Sequence, residues 1–288
     1  MESPKKGEQK MKRHAVIITV LNLVLGCTSL AFADGQYVES LRNDDAAKWQ
    51  KPAEQGNANA MFNLGLMYKY GWGGVMQDYN KTMELYQKAA AAGNSRAMLG
   101  IGWMYKNGQV AGKNAAAAFE WFQKAAQAGN AGGMYNLGFA YEYGDGVEKD
   151  LDKAIQWYSK AAEKGNSGGM FALGNLYYKG KGVAEDKAQA QQWYQKAAQA
   201  GNTGAMLNLG LMYKYGLGVE QNQDKAMDWH LKSIDAGNTR AMVALAQMYD
   251  QGDGCVKDHE LALSWYKKAA GMGNILAREK LASLGENW

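Results

Sequence analysis

The chain has 288 residues, 32 of them Lys or Arg and 28 Asp or Glu, with three histidines and two cysteines. A balance this close to neutral offers no electrostatic footprint for a phosphate backbone, which argues against nucleic acid as the partner. No His-Glu-x-x-His string, no paired cysteines and no phosphate-cradling glycine loop between strand and helix is present, so neither metal nor cofactor is expected.

Residues 1–33 come first and stand apart. Lys10, Lys12 and Arg13 precede the apolar run AVIITVLNLVL (15–25), and Ala31-Phe32-Ala33 offers a small-x-small cleavage site before Asp34. That order is a secretory signal peptide, and eleven apolar residues are too few to span a bilayer. MKRHAVIITV forms a complete signal by itself, so Met11 is an alternative start. A second reading takes Val24-Leu25-Gly26-Cys27 as a lipoprotein box with a lipid anchor at Cys27. Against it, the following TSLAFA is apolar where a lipoprotein carries a polar tether. The expected product is a periplasmic or secreted monomer with no membrane span. Cleavage after Ala33 removes Lys5, Lys6, Lys10, Lys12, Arg13, Glu2 and Glu8, leaving 27 basic and 26 acidic residues and a single cysteine, Cys255.

Beyond that segment a Gly-Asn pair recurs at Gly56-Asn57, Gly93-Asn94, Gly129-Asn130, Gly165-Asn166, Gly201-Asn202, Gly237-Asn238 and Gly273-Asn274, spaced by 37 once and then by 36. Each period reads as two helices. The first contains NLGLMYKYG (63–71) or one of its copies, and the second follows a loop such as GDGV (144–147). Apolar residues at Met134, Leu137 and Tyr141, and at Ala154, Trp157, Tyr158 and Ala161, share one helical face. The glycine suits a left-handed helix end, and the asparagine caps the next helix. Second helices open on Asp78, Asn114, Asp150, Asp186, Asn222 and Asp258, all good N-caps. Gly65, Gly102, Gly138, Gly174, Gly210 and Ala246 sit midway along the first helices. Each mid-helix glycine costs about 1 kcal/mol relative to Ala, so its repetition implies close helix-to-helix approach.

The unit A-x-x-x-L-G-x-x-Y, then G-x-G-V, then D-x-x-K-A-x-x-W-Y-x-K-A-A-x-x-G-N resembles the Sel-one-like repeat, a relative of the tetratricopeptide repeat, from about residue 42 to 285. The resemblance implies an all-α, right-handed α/α solenoid of antiparallel helix pairs with 36-residue repeats. The chain then divides into an N-terminal capping half-repeat (34–56), six repeats (57–93, 94–129, 130–165, 166–201, 202–237, 238–273) and a C-terminal capping helix (274–288). Pro52 would kink a helix interior in the first of these. Half-units at the ends suit a solenoid, whose terminal faces must be polar.

Catalytic chemistry finds few residues to use. His230 stands in the aromatic column of Tyr86, Phe122, Tyr158, Tyr194 and Tyr266 and reads as a packed substitute. His259 follows the Asp258 cap and reads as exposed. Cys255 holds the loop column of Val147, Val183 and Val219 and reads as a small apolar residue. Cysteine-rich relatives of the resembling family are credited with weak β-lactam hydrolysis, but their paired cysteines are missing here. A hydrolase acting on cell-wall or β-lactam compounds therefore remains the alternative, beside a purely structural envelope spacer.

The expected function is non-catalytic interaction with a protein or peptide segment on the concave face, in envelope signalling, stress response or host contact. If first helices line that face, the fifth and ninth columns after each Asn read Phe62/Leu66, Leu99/Trp103, Tyr135/Phe139, Phe171/Asn175, Leu207/Leu211 and Val243/Gln247. They change size and polarity from repeat to repeat, whereas core columns hold their identity. The sixth column carries Asn63, Asn136 and Asn208, alternating with Gly100, Ala172 and Ala244; such asparagines pair with a peptide backbone in tetratricopeptide relatives, and the other reading is solvated residues that echo a two-repeat duplication. Lys69 and Lys106 of the twelfth column favour an acidic segment in the N-terminal half. The candidate partner-binding set is Phe62, Asn63, Leu66, Lys69, Trp103, Lys106, Tyr135, Asn136, Phe139, Phe171, Asn208 and Leu211; packing against the neighbouring repeat is the competing reading of the stripe.

Overall fold

The computed structural model describes residues 40–288, whose regular structure is entirely helical. The signal segment and Cys27 lie outside the described residues. In chain order the helices are α1 (Ala47–Glu54), α2 (Ala58–Tyr70), α3 (Tyr79–Ala91), α4 (Ser95–Asn107), α5 (Ala115–Gln127), α6 (Ala131–Tyr143), α7 (Leu151–Glu163), α8 (Ser167–Lys179), α9 (Lys187–Gln199), α10 (Thr203–Tyr215), α11 (Gln223–Asp235), α12 (Thr239–Gln251), α13 (His259–Gly271) and α14 (Ile275–Ser283). Even-numbered helices are the first helices of the repeats. The chain is an α-solenoid of successive helix pairs, divided into two compact units at Gly169 and Met170.

Local chemistry sets the helix ends. The Oδ1 of Asn57 accepts the Ala60 N–H at 3.0 Å, and that of Asp78 accepts the Lys81 N–H at 2.9 Å, so both helices of the pair are capped by their own first polar residue. Such a cap contributes about 1 kcal/mol. At the other end, Gly144 takes a left-handed φ of 74° after α6, and the Asp145 N–H returns to the Ala140 carbonyl at 2.9 Å. A side chain there would meet the usual left-handed penalty, which is why glycine closes the helix.

The repeat-opening residue is asparagine every time, and the structure shows the reason. While Oδ1 caps its own helix, Nδ2 reaches back to the start of the preceding first helix. Asn94 donates to Asn59 Oδ1 at 3.0 Å, Asn238 to the Thr203 carbonyl at 3.1 Å, and Asn274 to Thr239 Oγ1 at 3.1 Å. Aspartate has no donor for this second bond. Second-helix caps make no such reach and are free to be Asp or Asn.

In the first unit, α1 to α7 pack each on the next in sequence. Pro52 sits in the last turn of α1, and the helix runs two residues past it. The mid-helix glycines face the rings of the second helices. A Cβ on Gly65 would stand 2.7 Å from the Tyr86 ring, and one on Gly100, from the next repeat, 2.6 Å from its other edge. Gly102 meets Phe122 and Gly138 meets Tyr158 in the same way, each at 2.5 Å. Real Cβ atoms do not approach so closely, so the helical cost of glycine is offset by the ring that fills its place. Tyr158 is buried and donates its hydroxyl to Glu142 Oε2 at 2.8 Å.

In the second unit, α9 to α14 pack each on the next, and Gly174 receives Tyr194 at 2.6 Å. Gly210 receives His230 instead, in the same relation. His230 is wholly buried, and neither ring nitrogen has a hydrogen-bond partner among the described residues. Burial, helped by the nearby Lys214 charge, pushes its pKa down to about 4, so the ring is neutral. The reading of His230 as a packed aromatic substitute agrees with this environment. Cys255 is half-buried with its sulfur 3.7 Å from the Met248 carbonyl, and burial followed by Asp253 and Asp258 raises its pKa, which disfavours the thiolate.

Candidate functional site

The fifth-column rings lie on the second-helix rings. Phe62 stacks on Tyr86 with centroids 5.4 Å apart, Tyr135 tilts over Tyr158 at 5.8 Å, and Phe171 over Tyr194 at 5.7 Å. Phe62 is buried, while Tyr135 and Phe171 keep part of the ring accessible. Leu66, Asn63 and Lys69 are buried along with Phe62, so the first repeat presents little of its stripe to solvent.

The asparagines of the sixth column do not behave alike. Asn136 is buried and donates Nδ2 to the Gly132 carbonyl one turn back at 2.7 Å. Asn208 is half-buried near the Tyr194 side chain, whose hydroxyl donates to Asn175.

The ninth and twelfth columns converge on α4 and α6. Trp103 is half-buried and meets Phe122 edge-on at 5.8 Å; Phe139 is half-buried and lies 4.5 Å from Tyr143. Lys106 bridges them, its Nζ 4.4 Å from the Phe139 centroid and 5.5 Å from that of Trp103, while pairing with Asp145 at 2.9 Å. The result is an accessible cluster of three rings around one neutralised cation. Tyr143, 59% exposed, belongs to it and is absent from the sequence-derived set. Its spacing, one turn beyond Phe139 on the same helix, is the signal that would have found it.

The second unit places other residues in these columns. Asn175 accepts the Tyr194 hydroxyl at 2.7 Å, Leu211 is half-buried and Gln247 is exposed. Lys214 is buried and pairs with Asp253 at 3.0 Å.

The opposite, second-helix side shows a different regularity. Lys124 lies over Trp121 at 4.1 Å, Lys160 over Trp157 at 4.3 Å, Lys196 over Trp193 at 4.4 Å, Lys232 over Trp229 at 4.5 Å and Lys268 over Trp265 at 4.7 Å. Each lysine shields an indole face of its own helix, so lysines that read as solvated in sequence also cover apolar surface.

Among the described residues no three His, Cys, Asp or Glu side chains converge as a metal site, and no helix is long and apolar enough to cross a membrane. His259 is exposed and holds Asp250 at 2.8 Å through Nδ1.

Comparison with known proteins places this geometry. A protective antigen present in uropathogenic Escherichia coli strains, displaying an SLR fold, is similar at 33% identity and a TM-score of 0.72; the match covers 83% of this chain and 51% of that one, so this chain spans about half that protein's length. A Sel1 repeat protein from Oxalobacter formigenes is similar at 32% identity and a TM-score of 0.69, over 75% of this chain and 86% of that chain. The immunity protein PA5088 from Pseudomonas aeruginosa, at 22% identity and a TM-score of 0.51 over 74% of this chain and 82% of its own, shares the fold. No protein of curated function matches the sequence. The Sel1 repeat matches at 58–94, 95–130, 131–166, 167–202, 203–238 and 239–274, and the chain belongs to the Sel1 repeat family.

Proposed function

We propose that this protein is an exported, non-catalytic scaffold that captures an extended segment of a protein partner on the first helices of residues 40–169, in the service of envelope signalling, stress response or host contact. Sel1 repeat proteins in general mediate protein–protein interaction and are in general non-catalytic. Export rests on the signal-like order of residues 1–33.

One observation carries the choice of surface. Trp103, packed on the buried Phe122, and Phe139, against Tyr143, each keep part of the ring accessible. Partly accessible rings set around a polar centre at Lys106 are what a peptide-binding surface needs. Catalysis lacks support of this kind, because His230 is inaccessible to any substrate.

Changing Trp103 and Phe139 together to Ala tests the proposal. Cross-linked capture of a partner from the native envelope should disappear, while stability falls by no more than about 3 kcal/mol, below the cost of two fully buried rings. Glu163→Ala, at an exposed position on a second helix, should leave capture unchanged. A collapse of the fold in the double variant would show that these rings are core, and hydrolysis of a chromogenic β-lactam by the purified protein would overturn the non-catalytic reading.

A further inference from the structure

The twelfth-column lysines are matched by a residue of the following repeat. Lys106 pairs with Asp145 and Lys214 with Asp253, at 2.9 and 3.0 Å. In each case the aspartate directly follows the glycine that ends the next first helix. Its N–H closes that helix by returning to Ala140 or Met248, at 2.9 and 3.0 Å. Gln109 makes the same closing bond, to the Met104 carbonyl at 3.0 Å, and so occupies the same position in the repeat that follows Lys69.

Elsewhere in the two columns the residues differ: Tyr178 and Leu217 belong to one apolar cluster, and Asp250 and Glu286, which makes the same closing bond to Leu281, are both acidic and pair with His259 and Lys267 instead. Lys69 and Gln109 differ from both lysine–aspartate pairs. Lys69 is as buried as Lys214, each 4% exposed, yet among the described residues its ammonium has no ion pair; the ring of Tyr70, 5.4 Å away, is its one close electrostatic contact. The Gln109 Oε1 is buried and likewise without a partner. A buried cation without an ion pair and a buried amide oxygen without a hydrogen-bond partner lack the compensation that Lys106 and Lys214 receive from their own chain.

We propose that Lys69 and Gln109 form a carboxylate site, in which an acidic group of the captured segment takes the place that aspartate fills in the other repeats. The ammonium supplies a charge-assisted donor and the Gln109 amide a second donor once its side chain turns. This rests on the interaction reading above and adds the chemistry of one contact. Burial alone pushes the Lys69 pKa down, to about 8, so the site weakens as pH rises past that value.

The test uses the full chain with Lys69 followed by NMR of its Nζ and Cε. Two probes separate the sources of the group: an oligoglutamate blocked at both ends, and a neutral peptide with a free C-terminal carboxylate. Whichever probe raises the Lys69 titration midpoint above about 8 identifies the source; if neither does, the site is overturned. Gln109→Asp rebuilds the internal pair. It should weaken the responding probe by roughly tenfold or more while the melting temperature holds or rises, so that loss of folding cannot explain loss of binding. Unchanged affinity in Gln109→Asp would overturn the site. The Trp103→Ala, Phe139→Ala double variant distinguishes the two proposals: loss of binding there alone leaves the aromatic surface standing and removes the carboxylate site, and loss in Gln109→Asp alone does the reverse.

Discussion

The helix pairs of residues 40–169 and those of residues 170–288 are cut from one 36-residue pattern, but they spend it differently. In the first unit the glycines of α2, α4 and α6 receive Tyr86, Phe122 and Tyr158, and rings again occupy the outer columns at Phe62, Trp103, Tyr135 and Phe139. In the second, one of the receiving positions holds His230, and beyond Phe171 the outer columns turn to Asn175, Leu211, Val243 and Gln247. The capping and closing positions are common to both. The contrast shows that the parts holding a repeat together tolerate little change, because each ring must fill the space that a missing Cβ leaves, whereas residues facing away from that contact are free to diverge and to acquire partners.

The largest expected effect tests how tightly the rings are held. Tyr158→Ala should cost about 3–5 kcal/mol in a denaturant titration, since it empties a buried site facing Gly138 and removes the hydroxyl bonded to Glu142. Tyr194→Ala should cost less, because its hydroxyl partner Asn175 is half-exposed and can turn to water. Equal losses would show that the two hydroxyl bonds do not distinguish the units.

Next comes acid sensitivity, which should belong to the second unit. His230 has a pKa of about 4 in the folded chain against 6.5 when free. Above pH 6.5 the ring is neutral in both states and its burial costs nothing in protonation. As pH falls from 6.5 toward 4 the unfolded chain takes up a proton that the folded one refuses, and on the order of 3 kcal/mol of stability is lost. His230→Phe should abolish this component, leaving a smaller difference in stability between pH 7.5 and pH 4.5 than in the natural chain. Phenylalanine suits the site better than tyrosine, because the ninth-column neighbour Leu211 offers no acceptor, as at Phe122 beside Trp103. An unchanged pH profile would mean that the ring takes up its proton as readily in the fold as in the unfolded chain.

The smallest effect concerns what the units share. Asn130→Ala removes both the Gly133 cap and the longer 3.4 Å bond to Ser95, and should cost about 1–2 kcal/mol. Asn130→Asp keeps the cap and should cost roughly 0.5 kcal/mol or less, with thermal unfolding as the measure. If both variants lose equally, the reach to the preceding repeat matters more than the cap.

Much of this architecture was legible from residue spacing. The Gly-Asn period marked every turn, the Asp or Asn column marked every second-helix start, and His230 declared itself by standing among tyrosines. Candidate contacts were harder to read. Phe62 and Trp103 belong to one aromatic stripe in sequence, yet Phe62 is buried on Tyr86 and Trp103 keeps an accessible face. Column position alone does not encode that difference, because it depends on which side chains the adjacent helix brings up. Tyr143 is a partial case: its spacing one turn beyond Phe139 puts the two rings on one side of the helix, but that its ring stays exposed depends on what the neighbouring helices leave open.

The amino-acid sequence by itself determined the period, the helix boundaries and the need for close approach at Gly65 and its equivalents, since caps, turns and propensity act within a few residues of chain. Only the tertiary structure decided which ring each glycine receives, why the opening residue must be asparagine, and that Lys69 is buried without the carboxylate its counterparts have. Those facts depend on groups from a neighbouring helix, about 14 to 39 residues away, whose identity matters only once packing has brought them within a few ångströms.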